Sequence, residues 1–111
     1  VRRVARVEVA DMTPYALKKY GMTPDDWQQL FEAQGGRCPL CERRFGARRS
    51  PVIDHDHRTG LVRGLLCGHC NTMLGLLHDN ADWCERSSKY LRTPPCQGSY
   101  RHVDAPPTKE T

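Results

Sequence analysis

The sequence predicts a small α+β fold in which a bound metal ion staples a β-hairpin to a helix, with further helices on either side. Three observations carry that expectation. Two Cys-x-x-Cys units, Cys38-Pro-Leu-Cys41 and Cys67-Gly-His-Cys70, stand 25 residues apart. Between them the pattern is extended, with Pro51-Val52-Ile53 and Leu61-Val62-Arg63-Gly64-Leu65-Leu66 flanking a turn at Arg58-Thr59-Gly60. Outside them the apolar spacing is helical. With 111 residues, 38% of them hydrophobic, and only two Phe, two Trp and four Tyr, the core must be small. A metal can supply folding energy that such a core lacks.

The elements follow in chain order. Residues 1–12 form a basic arm whose valines, Val1, Val4, Val7 and Val9, are too irregularly spaced for a strand. Thr13-Pro14 opens a short helix that runs to about Lys19 and stops at Gly21, with Pro at the first position and Gly at the end. Thr23-Pro24-Asp25-Asp26 repeats the start signal: Thr23 can cap, and the acids face the positive end of the helix dipole. Trp27, Leu30 and Phe31 then make one apolar stripe at i, i+3 and i+4, read as core packing, and Gly35-Gly36 ends the helix. After the hairpin, Met73, Leu74 and Leu77 give a helix from about Cys70, although Gly75 weakens it. Asn80 can cap a last helix carrying Trp83, Arg86, Ser87, Tyr90 and Leu91. Beyond Thr93, Pro94-Pro95 and Pro106-Pro107 end the periodicity. The expected organisation is therefore an N-terminal arm with helices over 1–36, a metal-stapled core with its following helix over 37–91, and a Pro-rich flexible tail over 92–111.

Four cysteines at this spacing can surround one Zn²⁺ tetrahedrally. A disulfide framework is the competing arrangement. The first nine residues contain Arg2, Arg3, Arg6 and Glu8, so no apolar leader marks a secreted chain, and the metal reading is preferred. Cys84 and Cys96 are left over, as a late disulfide or as buried thiols. No stretch is apolar enough to span a membrane, and a soluble, intracellular protein is expected.

The charge points to a phosphate-rich partner. Basic side chains outnumber acidic ones 17 to 13, and seven arginines fall between Arg37 and Arg63 against Glu42, Asp54 and Asp56. Arginine forks match phosphate oxygens in pairs, although such a run is also often only a solvated face.

The run Ile53-Asp54-His55-Asp56-His57 and Asn71 hold the chemistry. Carboxylate and amide oxygens are hard ligands suited to Mg²⁺, and a neutral imidazole can take a proton from water. That composition matches metal-assisted hydrolysis of a phosphodiester. Each residue also has a plainer role open to it: Asp54 in a turn, His55 as a structural histidine, Asn71 as a helix cap. Strand alternation adds a constraint, since adjacent Asp54 and His55 point to opposite faces of a regular strand. For both to serve one phosphate the backbone must leave regular geometry there.

Cys-Pro-Leu-Cys, Ile-Asp-His-Asp-His-Arg-Thr-Gly and Val-Arg-Gly-Leu-Leu-Cys-Gly-His-Cys-Asn together resemble the phage recombination endonuclease VII family, within the His-Me finger (ββα-metal, HNH-like) nucleases. The resemblance runs from about Tyr20 to Leu91. It implies a zinc-stapled ββα-metal fold in which Cys38, Cys41, Cys67 and Cys70 hold a structural Zn²⁺. It further implies that Asp54 and Asn71 hold a catalytic Mg²⁺ or Mn²⁺, that His55 is the general base, and that His57 acts near the scissile phosphate. Leu74 stands where the family's resolvase has an acidic residue, which leaves the metal shell leaner. Arg58, Arg63, Arg43, Arg44, Arg48 and Arg49 are expected on the DNA backbone, where they position a duplex without reading its sequence. The function so implied is a metal-dependent DNA endonuclease that nicks duplexes or cuts branched DNA, phage-encoded and cytoplasmic, a monomer or weak dimer. The alternative is a non-catalytic zinc-containing module that binds nucleic acid; a protein-interaction domain is the third reading.

Overall fold

The structure, a computed structural model, describes residues 14–96, 98 and 100–106. The Val-rich arm, Thr13 and the end of the tail lie outside the described residues. The chain divides into two compact units, one ending at Asp79 and the other beginning at Asn80.

In the first unit, α1 (Pro14–Lys19) is closed by Gly21, whose φ of +65° is left-handed and open to glycine without strain. Helix α2 (Pro24–Ala33) starts with a reciprocal capping box: Thr23 Oγ1 accepts from the Asp26 N–H at 3.1 Å, and Asp26 Oδ2 accepts from the Thr23 N–H at 2.9 Å. The apolar stripe lands as expected, with Trp27 and Phe31 each 1% exposed and their rings stacked at 5.3 Å. Gly35 and Gly36, at φ +65° and +68°, then swing the chain into the first cysteine pair.

That pair sits in a tight knuckle. The Cys38 N–H donates to the Arg43 carbonyl at 3.0 Å, and the Glu42 N–H donates to the Cys38 carbonyl at 2.8 Å. Strands β1 (Pro51–His55) and β2 (Val62–Cys67) follow as an antiparallel hairpin, and α3 (Gly68–Leu76) packs across both. Strand β1 runs two residues further than its apolar run, through Asp54 and His55. Helix α3 begins earlier than the Met73-Leu74-Leu77 spacing indicates, because Cys67 ends the strand and serves at once as the helix N-cap.

The outer edge of β2 is covered by a side chain. Gln34 Nε2 donates to the Leu65 carbonyl at 2.9 Å and to the Arg37 carbonyl at 3.1 Å, while the Leu65 N–H donates to Gln34 Oε1 at 2.8 Å. One amide thus does what a neighbouring strand would do. Gly64 lies beneath it, where an added Cβ would stand 3.1 Å from Gln34 Oε1. The core combines Leu17, Trp27, Phe31, Phe45, Leu65 and Leu66 with the sulfurs of Cys38, Cys67 and Cys70.

In the second unit, α4 (Ala81–Arg92) is capped by Asn80, whose Oδ1 accepts from the Trp83 N–H at 3.1 Å. Cys84 and Cys96 are both free thiols, and Cys96 is exposed. The expectation of a late disulfide or a pair of buried thiols is corrected: Cys96 lies past the helix end, in a Pro-rich segment that buries nothing against it. Among the described residues no helix is long and apolar enough to cross a membrane.

Candidate active site and metal centre

The hairpin and α3 put a cysteine cluster and a polar cluster at opposite ends of β1. At the base of the hairpin, Pro51 pairs with Cys67, and the second cysteine pair runs from β2 into α3. Cys38, Cys41, Cys67 and Cys70 bring their sulfurs within 4.8 Å of one another, Cys41 Sγ and Cys67 Sγ lying 3.8 Å apart. Four sulfurs each about 2.3 Å from a zinc ion would be about 3.8 Å apart, whereas a disulfide needs about 2.05 Å. The donor set therefore fits a tetrahedral soft metal.

Its protonation is uneven. Burial opposes ionisation of Cys38, but backbone N–H groups of Cys41, Cys67 and Leu40 more than offset this and hold its thiol below the ordinary range. Burial, followed by hydrogen bonds with Cys67, Cys38 and Cys41, pushes the Cys70 thiol up.

At the other end, where β1 approaches the turn, the polar side chains gather. The ladder pairs Asp54 with Gly64 and then His55 with Val62, so the register skips Arg63. The extra residue lies on β2, so it is Arg63 that the bulge re-aims, while Asp54 and His55 stay consecutive in β1. Asp54 is 5% exposed and is gripped by Arg63: Nε donates to Oδ2 at 2.7 Å and Nη2 to Oδ1 at 2.9 Å. The Arg63 guanidinium is held more firmly protonated, mainly through its hydrogen bond to Asp54, with partial burial opposing.

His55 is half-buried, and its Nδ1 lies 3.2 Å from the Tyr20 hydroxyl. Its ring centroid is 4.5 Å from that of His57. His57 is exposed, with Nδ1 3.0 Å from Asp79 Oδ2. Asp79 also receives Arg63 Nη2 on Oδ1 at 3.4 Å. The hydrogen bond from His57 first, and that from Arg63 next, hold the Asp79 carboxyl below its ordinary range. Asp56, by contrast, is a turn residue: its Oδ1 accepts from the Arg58 N–H at 2.8 Å and the Thr59 N–H at 3.4 Å.

Asp54 is thus linked through Arg63 to Asp79, and Asp79 to His57, whose ring lies against that of His55. Asn71 sits half-buried in the first turns of α3, with no side-chain hydrogen bond to this cluster among the described residues. Leu74 is partly buried against the core. Among the described residues the four cysteines are the only group of three or more Cys, His, Asp or Glu side chains placed to hold an ion. Both Asp54 oxygens are engaged by Arg63, so an ion at this carboxylate would have to share or displace that contact.

The arginines divide between the two ends. Arg58 lies in the exposed turn beside Arg63, while Arg43 and Arg44 are exposed on the cysteine knuckle. Arg48 and Arg49 line an open groove of 770 Å³ that continues over Val52 to His69, Thr72 and Met73 of α3.

Sequence reasoning missed Tyr20, Asp79 and Gln34. Each acts across more than 15 residues of chain, and none belongs to a local pattern that marks it.

A hairpin and helix joined at a four-cysteine cage, with a polar cluster at the strand bulge, define a class of domain that has known counterparts. The profile of the family described as Recombination endonuclease VII matches residues 15–93. The chain belongs to that family. It is similar to the Gene 59 protein of Mycobacterium phage L5, at 46% identity over 80 residues, covering 71% of this chain and 49% of the relative. The Gene 59 protein of Mycobacterium phage D29 is likewise 46% identical over 80 residues, covering 71% of this chain and 48% of its own. The chain spans about half the length of these curated relatives. Among solved structures it is similar to the ββα-Me type II restriction endonuclease Hpy99I, at 40% identity, with a TM-score of 0.46 over 50% of this chain and 30% of that one.

Proposed function

We propose that the chain is a metal-dependent DNA endonuclease of the endonuclease VII type, with a structural Zn²⁺ in the cysteine cage and Mg²⁺ or Mn²⁺ at Asp54. The observation that carries the reading is the polar cluster at this end of the hairpin, in which Arg63 links buried Asp54 to Asp79, Asp79 meets His57, and the His57 ring lies 4.5 Å from that of His55. Family membership supports DNA as the substrate.

Each residue then has a task. Asp54 and Asn71 would be the protein's share of a divalent-ion site, where a bound ion would supply Lewis-acid stabilisation of the charge that builds on the phosphate and the leaving 3′-oxygen. His55 takes the proton from the attacking water. With its own proton on Nδ1, donated to the Tyr20 oxygen 3.2 Å away, Nε2 keeps the lone pair that this step needs. Tyr20 therefore orients the base. His57 is turned by Asp79 through its Nδ1, which leaves Nε2 free to meet a phosphate oxygen or the leaving group. Arg58 is placed to meet the backbone at the scissile end, and Arg43, Arg44, Arg48 and Arg49 extend the contact toward the cysteine knuckle. The chain works as a monomer or weak dimer and nicks duplexes in preference to resolving junctions, Leu74 having replaced an acidic group.

The test is to incubate supercoiled plasmid with the zinc-loaded chain and Mg²⁺ or Mn²⁺. Wild type converts it to open circles, and His55→Ala lowers the rate by about 10²- to 10⁴-fold with fold and zinc content retained. Undiminished cutting by His55→Ala would remove His55 from the mechanism. Salt-sensitive binding without cleavage under any divalent ion would leave the non-catalytic module.

A further inference from the structure

Arg63 is placed where a cation belongs. Its guanidinium takes both oxygens of Asp54, at 2.7 and 2.9 Å, so no lone pair directed at that fork is available to an entering ion. The contact depends on the irregular ladder: Arg63 is the residue that the register skips, and in a regular hairpin it would oppose His55 and point away from the face of Asp54. The same guanidinium has a second acceptor within reach, Asp79 Oδ1 at 3.4 Å, a longer contact than either bond to Asp54. Asp79 is in turn anchored to His57.

The geometry points to Arg63 as an internal stand-in for the catalytic cation, which neutralises buried Asp54 in the metal-free protein and moves onto Asp79 when a divalent ion takes the carboxylate. This rests on the reading of Asp54 as an ion ligand. The arrangement solves a folding problem, because a carboxylate buried to this extent is costly without a partner. It also makes ion entry an exchange of one cation for another.

The experiment is calorimetric titration of Mn²⁺ into the zinc-loaded full chain without DNA, for wild type, Arg63→Gln, Arg63→Lys and Asp54→Asn. Removing the competing charge tightens Mn²⁺ binding in Arg63→Gln by about tenfold or more. Arg63→Lys, which keeps the charge but loses the fork, lies between it and wild type. Asp54→Asn abolishes the binding. Arg63→Gln affinity equal to or weaker than wild type, with Asp54→Asn still silent, overturns the exchange and leaves Asp54 as a ligand. Unchanged binding in Asp54→Asn overturns both. Should Arg63→Gln fail to fold, the wild type still decides: Mg²⁺ must speed solvent exchange of the Arg63 Nε–H resonance, and an unmoved, protected resonance at saturating Mg²⁺ refutes the proposal.

Discussion

Gln34→Ala would open the outer edge of β2. The Gln34 amide satisfies the N–H and the carbonyl of Leu65, at 2.8 and 2.9 Å, and Leu65 is 0% exposed. Truncation leaves one donor and one acceptor buried without partners. At about 2 kcal/mol for each stranded group, within the usual range of about 1–3, the loss is about 4 kcal/mol. The third bond, to the Arg37 carbonyl, is replaceable by water because Arg37 is only half-buried. The rotamer freedom that Gln34 gives up on folding offsets roughly 1–1.5 kcal/mol of this. The expected destabilisation is therefore about 2.5–3 kcal/mol, a large part of the stability of a domain this small. Urea unfolding of zinc-saturated protein at fixed zinc concentration measures it, with an unchanged slope. Gln34→Glu, nearly the same size, loses the donor and sets a carboxylate against the Leu65 carbonyl, so it must be at least as damaging. A loss below about 0.5 kcal/mol in either variant would refute the idea that a single side chain completes this sheet edge.

Other outcomes follow from the same geometry. Tyr20→Phe keeps the ring and loses the hydroxyl beside His55 Nδ1, so single-turnover cleavage slows on the order of tenfold with DNA affinity unchanged, a fraction of the base contribution. Loss of affinity instead of rate would make Tyr20 a DNA contact. The Asp79 carboxyl is held below its ordinary range by His57 and then Arg63. Its contribution to stability is thus fully present above the unfolded value of about 3.9 and is lost as pH falls through the lower folded value. The stability gap between wild type and Asp79→Asn persists at pH 5 and above and closes on strong acidification; a gap that widens there would contradict the assignment.

Much of this architecture is legible in the sequence because its causes are local. Thr23-Pro24 and Gly35-Gly36 fix the ends of α2 through capping and left-handed backbone. The cysteine spacing defines the cage, whose sulfurs meet within 4.8 Å. The bulge is less legible: the sequence calls for a departure from regular geometry at Asp54-His55, and the extra residue falls instead on β2, at Arg63. The partners of these residues are not legible. Tyr20 reaches His55 across 35 positions, Gln34 reaches Leu65 across 31, and Asp79 reaches His57 across 22. No periodicity or cap signal marks a side chain whose role comes from tertiary closure. Arg63 is the mixed case: its charge placed it near DNA, but its grip on Asp54 follows only from the skipped register.

The most direct test asks whether one ion holds the fold and a different, exchangeable ion serves the cut. Dialysis against mild chelator, zinc analysis of the recovered protein, and plasmid nicking after adding back single metals test it together. Nicking is expected to be lost while zinc stays equimolar with the chain, and Mg²⁺ or Mn²⁺ alone to restore it. Recovery only on adding Zn²⁺, or cleavage that persists with no exchangeable metal present, would contradict it.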